Sequence, residues 1–139
     1  ASETCPPGGI VKSEYVHRSQ FLEELTHSEL CFTPFGYGEV CLRDFEAFAC
    51  GAVVIKPDMS HMTTRPDLYR PWETYAPIRW DFADLAETVD RLLGDAPLRQ
   101  RLREGAIARW GEYLHGGFHE DLRHVAQRCG IGLPGDRQP

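Results

Sequence analysis

The chain has 139 residues, 42% of them hydrophobic and 26% charged, and a formal net charge of −6. That length carries one domain with a core of its own, and the composition is ordinary for a globular chain. The acidic balance argues against a general nucleic-acid binder, which normally shows a basic field.

No apolar run is long enough to span a bilayer and no signal-peptide pattern is present. The expectation is a cytoplasmic protein with no integral membrane segment. Of the fifteen basic residues only Lys12 and Lys56 are lysines, a bias that carries no function by itself. Five cysteines make an odd number with no Cys-x-x-Cys pair. Cys31, Cys41 and Cys50 sit in apolar contexts and read as small buried hydrophobes in a reducing compartment, not as disulfides or metal ligands.

In chain order, residues 1–8 read as a loop or ragged start. Ala1 in place of Met points to a processed, tagged or truncated beginning. Gly9 to Ser13 is a short strand candidate. His17 to Thr26 reads as a helix with Phe21, Leu22 and Leu25 inward, and Ser28 lies in the turn that follows. Leu30 to Thr33 is an apolar run of strand length ended by Pro34. Phe35-Gly36-Tyr37-Gly38 is a tight loop whose glycines permit unusual dihedrals or close approach to a ligand. From about Glu39 to Cys50 the period becomes helical, with Cys41, Phe45 and Phe48 as the apolar face. Gly51 is the expected C-cap. Ala52 to Ile55 reads as a strand buried on both faces, stopped by Pro57, and such strands belong to parallel sheets under helices.

The connection from Lys56 to Pro71 contains three prolines, Pro57 among them, and reads as a long loop leaving the carboxyl end of a strand. His61 within it is either a ligand contact or a plain loop histidine. Thr74 to Trp80 is a strand candidate that Pro77 confines to a sheet edge. Asp81 reads as the N-cap of a helix to about Leu93, with Phe82, Leu85, Val89 and Leu92 inward. Pro97 opens the next helix, which runs to about Tyr113 and turns Leu98, Leu102, Ile107 and Trp110 inward. Gly116 and Gly117 are expected to break the helix there, which separates His115 from His119 and argues against a metal site. Phe118 to Cys129 reads as a last helix with Leu122, Val125 and Ala126 inward.

The polar side of the helix after the glycine loop carries the candidate chemistry. Glu39, Arg43 and Glu46 lie at i, i+4 and i+7 and are expected to stack on one face. They are either a solvated salt-bridge stripe or a site: carboxylates suit sugar hydroxyls, and a guanidinium suits phosphate. The carboxyl ends of strands in open α/β sheets are where ligands bind.

Gly36-Tyr37-Gly38-Glu39, followed by Arg43-Asp44-Phe45-Glu46-Ala47-Phe48-Ala49-Cys50-Gly51 and the strand Ala52 to Ile55, resembles the donor-binding motif of GT-B glycosyltransferases. The Glu-Ala-x-Ala-x-Gly ending places the family's ribose-binding carboxylate on Glu46. The position eight residues earlier, a second Glu in the commonest retaining members, is Gly38 here, with Glu39 next to it. The spacing with Arg43 is similar to the exostosin-like and spore-protein-like subset, in which that Arg meets the donor diphosphate. The helices from Asp81 to about Tyr113 also resemble the tail of a GT-B carboxy-terminal domain.

The resemblance implies an α/β, Rossmann-like three-layer α/β/α fold with a small, mostly parallel sheet. It would be a partial GT-B carboxy-terminal domain of the glycosyltransferase group 1 kind. A single domain spans 1–139: an α/β donor-binding core over 9–80, carboxy-terminal helices over 81–129, and flexible ends at 1–8 and 130–139. The implied binding residues are Gly36, Tyr37, Gly38, Glu39, Arg43 and Glu46, with Lys12 and Arg18 as stand-ins for the family's basic pair. The implied partners are a nucleotide-sugar donor and an acceptor of unknown identity; neither metal nor cofactor is required. The acceptor-binding domain is expected to lie elsewhere, so this chain alone is expected to be inactive. The alternative is a non-catalytic binding module or homo-oligomer that keeps the architecture. A different Rossmann-type nucleotide domain is argued against, because both Gly-x-Gly-x-x-Gly and a Walker A lysine are missing.

Overall fold

Residues 15–131 are described by a computed structural model. Residues 1–8, the strand expected at Gly9 to Ser13, Lys12 and the end beyond residue 131 lie outside the described residues. Helix α1 covers Arg18–Thr26, strand β1 Leu30–Phe32, helix α2 Leu42–Cys50, strand β2 Val53–Pro57, strand β3 Ala76–Ile78, helix α3 Leu85–Gly94, helix α4 Ala96–Glu112 and helix α5 Phe118–Arg128. A π-turn at Tyr113–Gly117 joins the last two.

The strands form one parallel sheet in the order β1-β2-β3. Leu30 pairs with Val53, and Ile55 with Ala76. A parallel pair needs a crossover connection, and α2 supplies it between β1 and β2. Every residue of β2 is buried. Its side chains alternate between two clusters. Val54 packs with Leu25, Ala47 and Phe48 from α1 and α2. Val53 and Ile55 pack with Leu92, Leu98 and Leu102 from α3 and α4. Helices therefore cover both faces, which explains why the run has no polar alternation. Pro77 sits on the edge strand, as its missing donor requires.

Helix α4 belongs to both clusters. Leu98 and Leu102 join one, and Ala106 and Trp110 join the other. Between them, Gly105 lets the helix close on the turn before β3, because a Cβ there would fall on the carbonyl oxygen of Glu73.

Five expectations change. Phe82, Ile107, Leu122 and Val125, expected inward, are exposed. Helix α2 begins at Leu42, not near Glu39: Cys41 is extended (φ −133°, ψ 159°), and the Asp44 side chain accepts its N–H, which fixes the helix start. Cys41 is therefore a cap, while Phe45 and Phe48 do pack inward, Phe45 with its ring centroid 5.6 Å from that of Trp110. Strand β2 runs on through Lys56 and Pro57, because the Asp58 N–H continues the ladder to the Ile78 carbonyl at 2.9 Å. Helix α3 starts at Leu85 after Asp84; Asp81 instead accepts the Ala83 N–H, beside Phe82 at φ 59°. Gly116 and Gly117 do not break the chain's helical course. They lie in the π-turn, which passes directly into α5.

Candidate functional site

A helix that crosses between parallel strands runs back antiparallel to them, so the start of α2 lies at the carboxyl ends of β1 and β2. The glycine loop sits on this rim. Gly36, Tyr37 and Gly38 are all exposed, and the Gly36 N–H donates to the Gly38 carbonyl at 3.2 Å. Neither glycine takes a positive φ, and a Cβ at either would meet nothing within 4 Å. The fold itself does not require glycine at these two positions.

The three charged candidates do not form one helical stripe. Arg43 and Glu46 lie on α2, with Arg43 exposed and Glu46 partly buried. Glu39 lies off the helix, its carboxylate 4.0 Å from His61 Nε2. Glu46 is 3.1 Å from the Arg18 guanidinium, so the first turn of α1 comes to the same place.

The chemistry inside the rim is carried by residues that the sequence reading did not single out. Asp44 and Lys56 are both fully buried, and Lys56 Nζ is 3.1 Å from the Asp44 carboxylate. Lys56 also donates to the Thr33 carbonyl at 3.2 Å and lies 5.2 Å above the centre of the Phe35 ring. The Tyr69 hydroxyl donates to Asp44 at 2.6 Å. Burial, and then this bond to Asp44, pushes the Tyr69 phenol well above its usual range. Burial likewise raises the Cys31 thiol to about 11. The Cys41 thiol is raised by burial and by its hydrogen bond to Asp44. A signal for Lys56 was present: a lysine at the end of an unbroken apolar run is buried unless the strand stops before it.

This network bears on whether the start of α2 can attract an anion. The positive end of the α2 dipole already faces an internal carboxylate, Asp44. Cationic side chains on this part of the rim are Arg43 and Arg18.

Beyond the glycine loop the rim continues into a cleft of about 600 Å³ lined by Asp58, Arg79, Trp80, Asp81 and Asp84 among others. Trp80 donates its indole N–H to the Asp58 carbonyl at 3.1 Å. Its ring meets Phe35 edge-on at 5.2 Å and His61 at 5.0 Å. The Ser60 hydroxyl donates to Asp58 at 2.6 Å, and chiefly for that reason Asp58 is held below the usual carboxylate range.

Among the described residues no group of three or more His, Cys, Asp or Glu could hold a metal ion, and no helix is long and apolar enough to cross a membrane. Comparison with known proteins found no matching family model, no matching curated protein and no matching solved structure.

Proposed function

We propose that this chain is the nucleotide-sugar-binding part of a GT-B-type glycosyltransferase, with a Rossmann-like sheet. The reaction is transfer of a glycosyl group from a nucleoside-diphosphate sugar to an acceptor held elsewhere. The observation that carries the reading is the glycine loop. Gly36 and Gly38 stand at the carboxyl rim of a parallel sheet, with open space where a side chain would be and backbone angles that any residue can adopt. A ligand approaching the backbone accounts for glycine there, and the fold does not. Three parallel strands in sequential order also suit one half of a doubly wound sheet.

In this reading Glu46 accepts hydrogen bonds from ribose hydroxyls. Arg18 is mostly exposed and moves from Glu46 to the diphosphate, where Arg43 joins it. Tyr37, fully exposed, stacks on base or sugar. Charge building on the leaving diphosphate is stabilised by the two guanidinium groups. The half-buried free cysteines suit a reducing, cytoplasmic setting.

Calorimetry and amide NMR with UDP, GDP and ADP test the reading. Saturable binding with shifts confined to Gly36 to Glu46 is the expected result. No heat and no shift at millimolar nucleotide would count against it.

A second reading, an oligomerisation module, is favoured by one observation. Phe118, Leu122 and Val125 are exposed on one face of α5 at i, i+4 and i+7. Sedimentation over a range of concentrations separates it from the first.

A further inference from the structure

We infer that the cleft beside Trp80 is a binding site for a neutral saccharide, a role that does not depend on nucleotide binding at the glycine loop. Trp80 is 57% exposed, yet its ring is fixed on several sides. Its N–H is tied to the Asp58 carbonyl at 3.1 Å, and Phe35 and His61 meet it at 5.2 and 5.0 Å. An aromatic ring held rigidly with much of its surface open is a stacking platform that needs no further ordering when a ligand arrives. Pro71 and Pro77 extend the apolar surface of the cleft, whose volume of about 600 Å³ suits one or two sugar rings.

The polar groups around the platform select the ligand class. Asp58, Asp81 and Asp84 supply carboxylate acceptors, and Arg79 supplies a guanidinium donor. Arg79 is itself fixed: its side chain lies 2.7 Å from Asp81, and its backbone N–H donates to Asp84 at 2.8 Å. A hydroxyl both donates and accepts, so acceptors and a donor set side by side around an aromatic face fit the edge of a sugar ring. Three carboxylates against one paired guanidinium repel a phosphate, so the cleft is not a second anion site. The Arg79 donor needs an acceptor oxygen, which a hydroxyl supplies and a simple ammonium ion does not.

The experiment is an NMR titration of the full chain, following the three tryptophan indole N–H resonances. Maltotriose and cellotriose are the saccharide probes, with tetramethylammonium, inorganic phosphate and UDP as comparisons. At least one saccharide should move the Trp80 resonance saturably and leave Trp72 and Trp110 in place. Trp80→Ala should weaken that binding about tenfold or more, read on the Asp58 and Arg79 amides, and Asp81→Ala should weaken it without removing the platform. UDP should move the Gly36 and Gly38 amides and not Trp80, so the nucleotide reading and this one fail separately. If neither saccharide moves Trp80 at tens of millimolar, or if tetramethylammonium or phosphate moves it and the saccharides do not, the assignment is overturned.

Discussion

Lys56 Nζ lies 3.1 Å from the Asp44 carboxylate, and neither side chain has measurable contact with solvent. The pair ties the last turn of β2 to the first turn of α2 and, through the Thr33 carbonyl, to the end of β1. It therefore sets the position of the loop between them. Removing one partner strands the other as a buried charge. Asp44→Ala and Lys56→Met should each cost about 3 to 5 kcal/mol in urea unfolding, while the double variant Asp44→Leu with Lys56→Met should cost clearly less than the sum. Additive losses would show that the two charges are not coupled.

The glycines divide into two groups. Gly105→Ala should destabilise by about 1 to 3 kcal/mol, because the methyl group meets the Glu73 carbonyl. That sign is informative, since alanine in an open helix position is better than glycine by about 1 kcal/mol. Gly36→Ala and Gly38→Ala should change stability by no more than about 0.5 kcal/mol, yet weaken UDP binding. Thermal unfolding and calorimetry on the three variants check both statements.

Arg43 and Glu46 should fail in different ways. Glu46→Gln removes a charged acceptor, whose hydrogen bonds are worth roughly 1.5 to 3 kcal/mol, so nucleotide affinity should fall about ten- to a hundredfold. Arg18 is 70% exposed and well solvated without its partner, and Gln keeps a hydrogen-bonding group at Glu46, so losing this pair should cost under about 1 kcal/mol of stability. Arg43→Lys keeps the charge but loses the planar fork, so affinity for diphosphate should fall and affinity for the nucleoside should not. Unchanged affinity in both variants would leave this helix face as solvated surface.

Alkaline pH should destabilise the fold early. Burial raises Cys31 from 9.0 to about 11 and Tyr75 from 10.0 to about 12, and Tyr69 is raised further in the same direction. The unfolded chain releases these protons first, so it holds fewer protons than the native state over this range. Their contribution is complete below pH 9 and is lost between about pH 9 and 12. The urea midpoint should fall between pH 8 and about pH 10, and Tyr69→Phe should reduce the fall. An unchanged midpoint would refute this.

The apolar pattern made much of the architecture legible. Ala52 to Ile55 reads as an interior strand, which the structure places at Val53–Pro57, and the helices to either side followed from their spacing. The start of α2 was not legible, because Asp44 acts on the backbone of Cys41, and a Cys-x-x-Asp cap resembles no strong sequence signal. That one cap removed Glu39 from the helix and undid the three-residue stripe. Asp44 and Lys56 were hidden for another reason: each looks like a surface charge until the strand and helix are packed together. Trp80 was read only as the end of a strand, since what makes it a platform is contributed by Asp58, Phe35 and His61 from two other segments. The glycine pair at 116 and 117 misled because helix propensity was weighed without its aromatic surroundings, where Tyr113 packs against Phe118 at 6.2 Å.

Because α4 contributes to both hydrophobic clusters, the two sides of the sheet share one fate. Lifting that helix would uncover Leu92 and Ile78 on one side and Phe48 and Val54 on the other in a single event. Opening of the described fold should therefore be all-or-none. Hydrogen exchange should give the slow amides of β1, β2 and β3 a common protection factor, and a protease cut between Ile78 and Ala96 should leave no piece able to stay folded by itself.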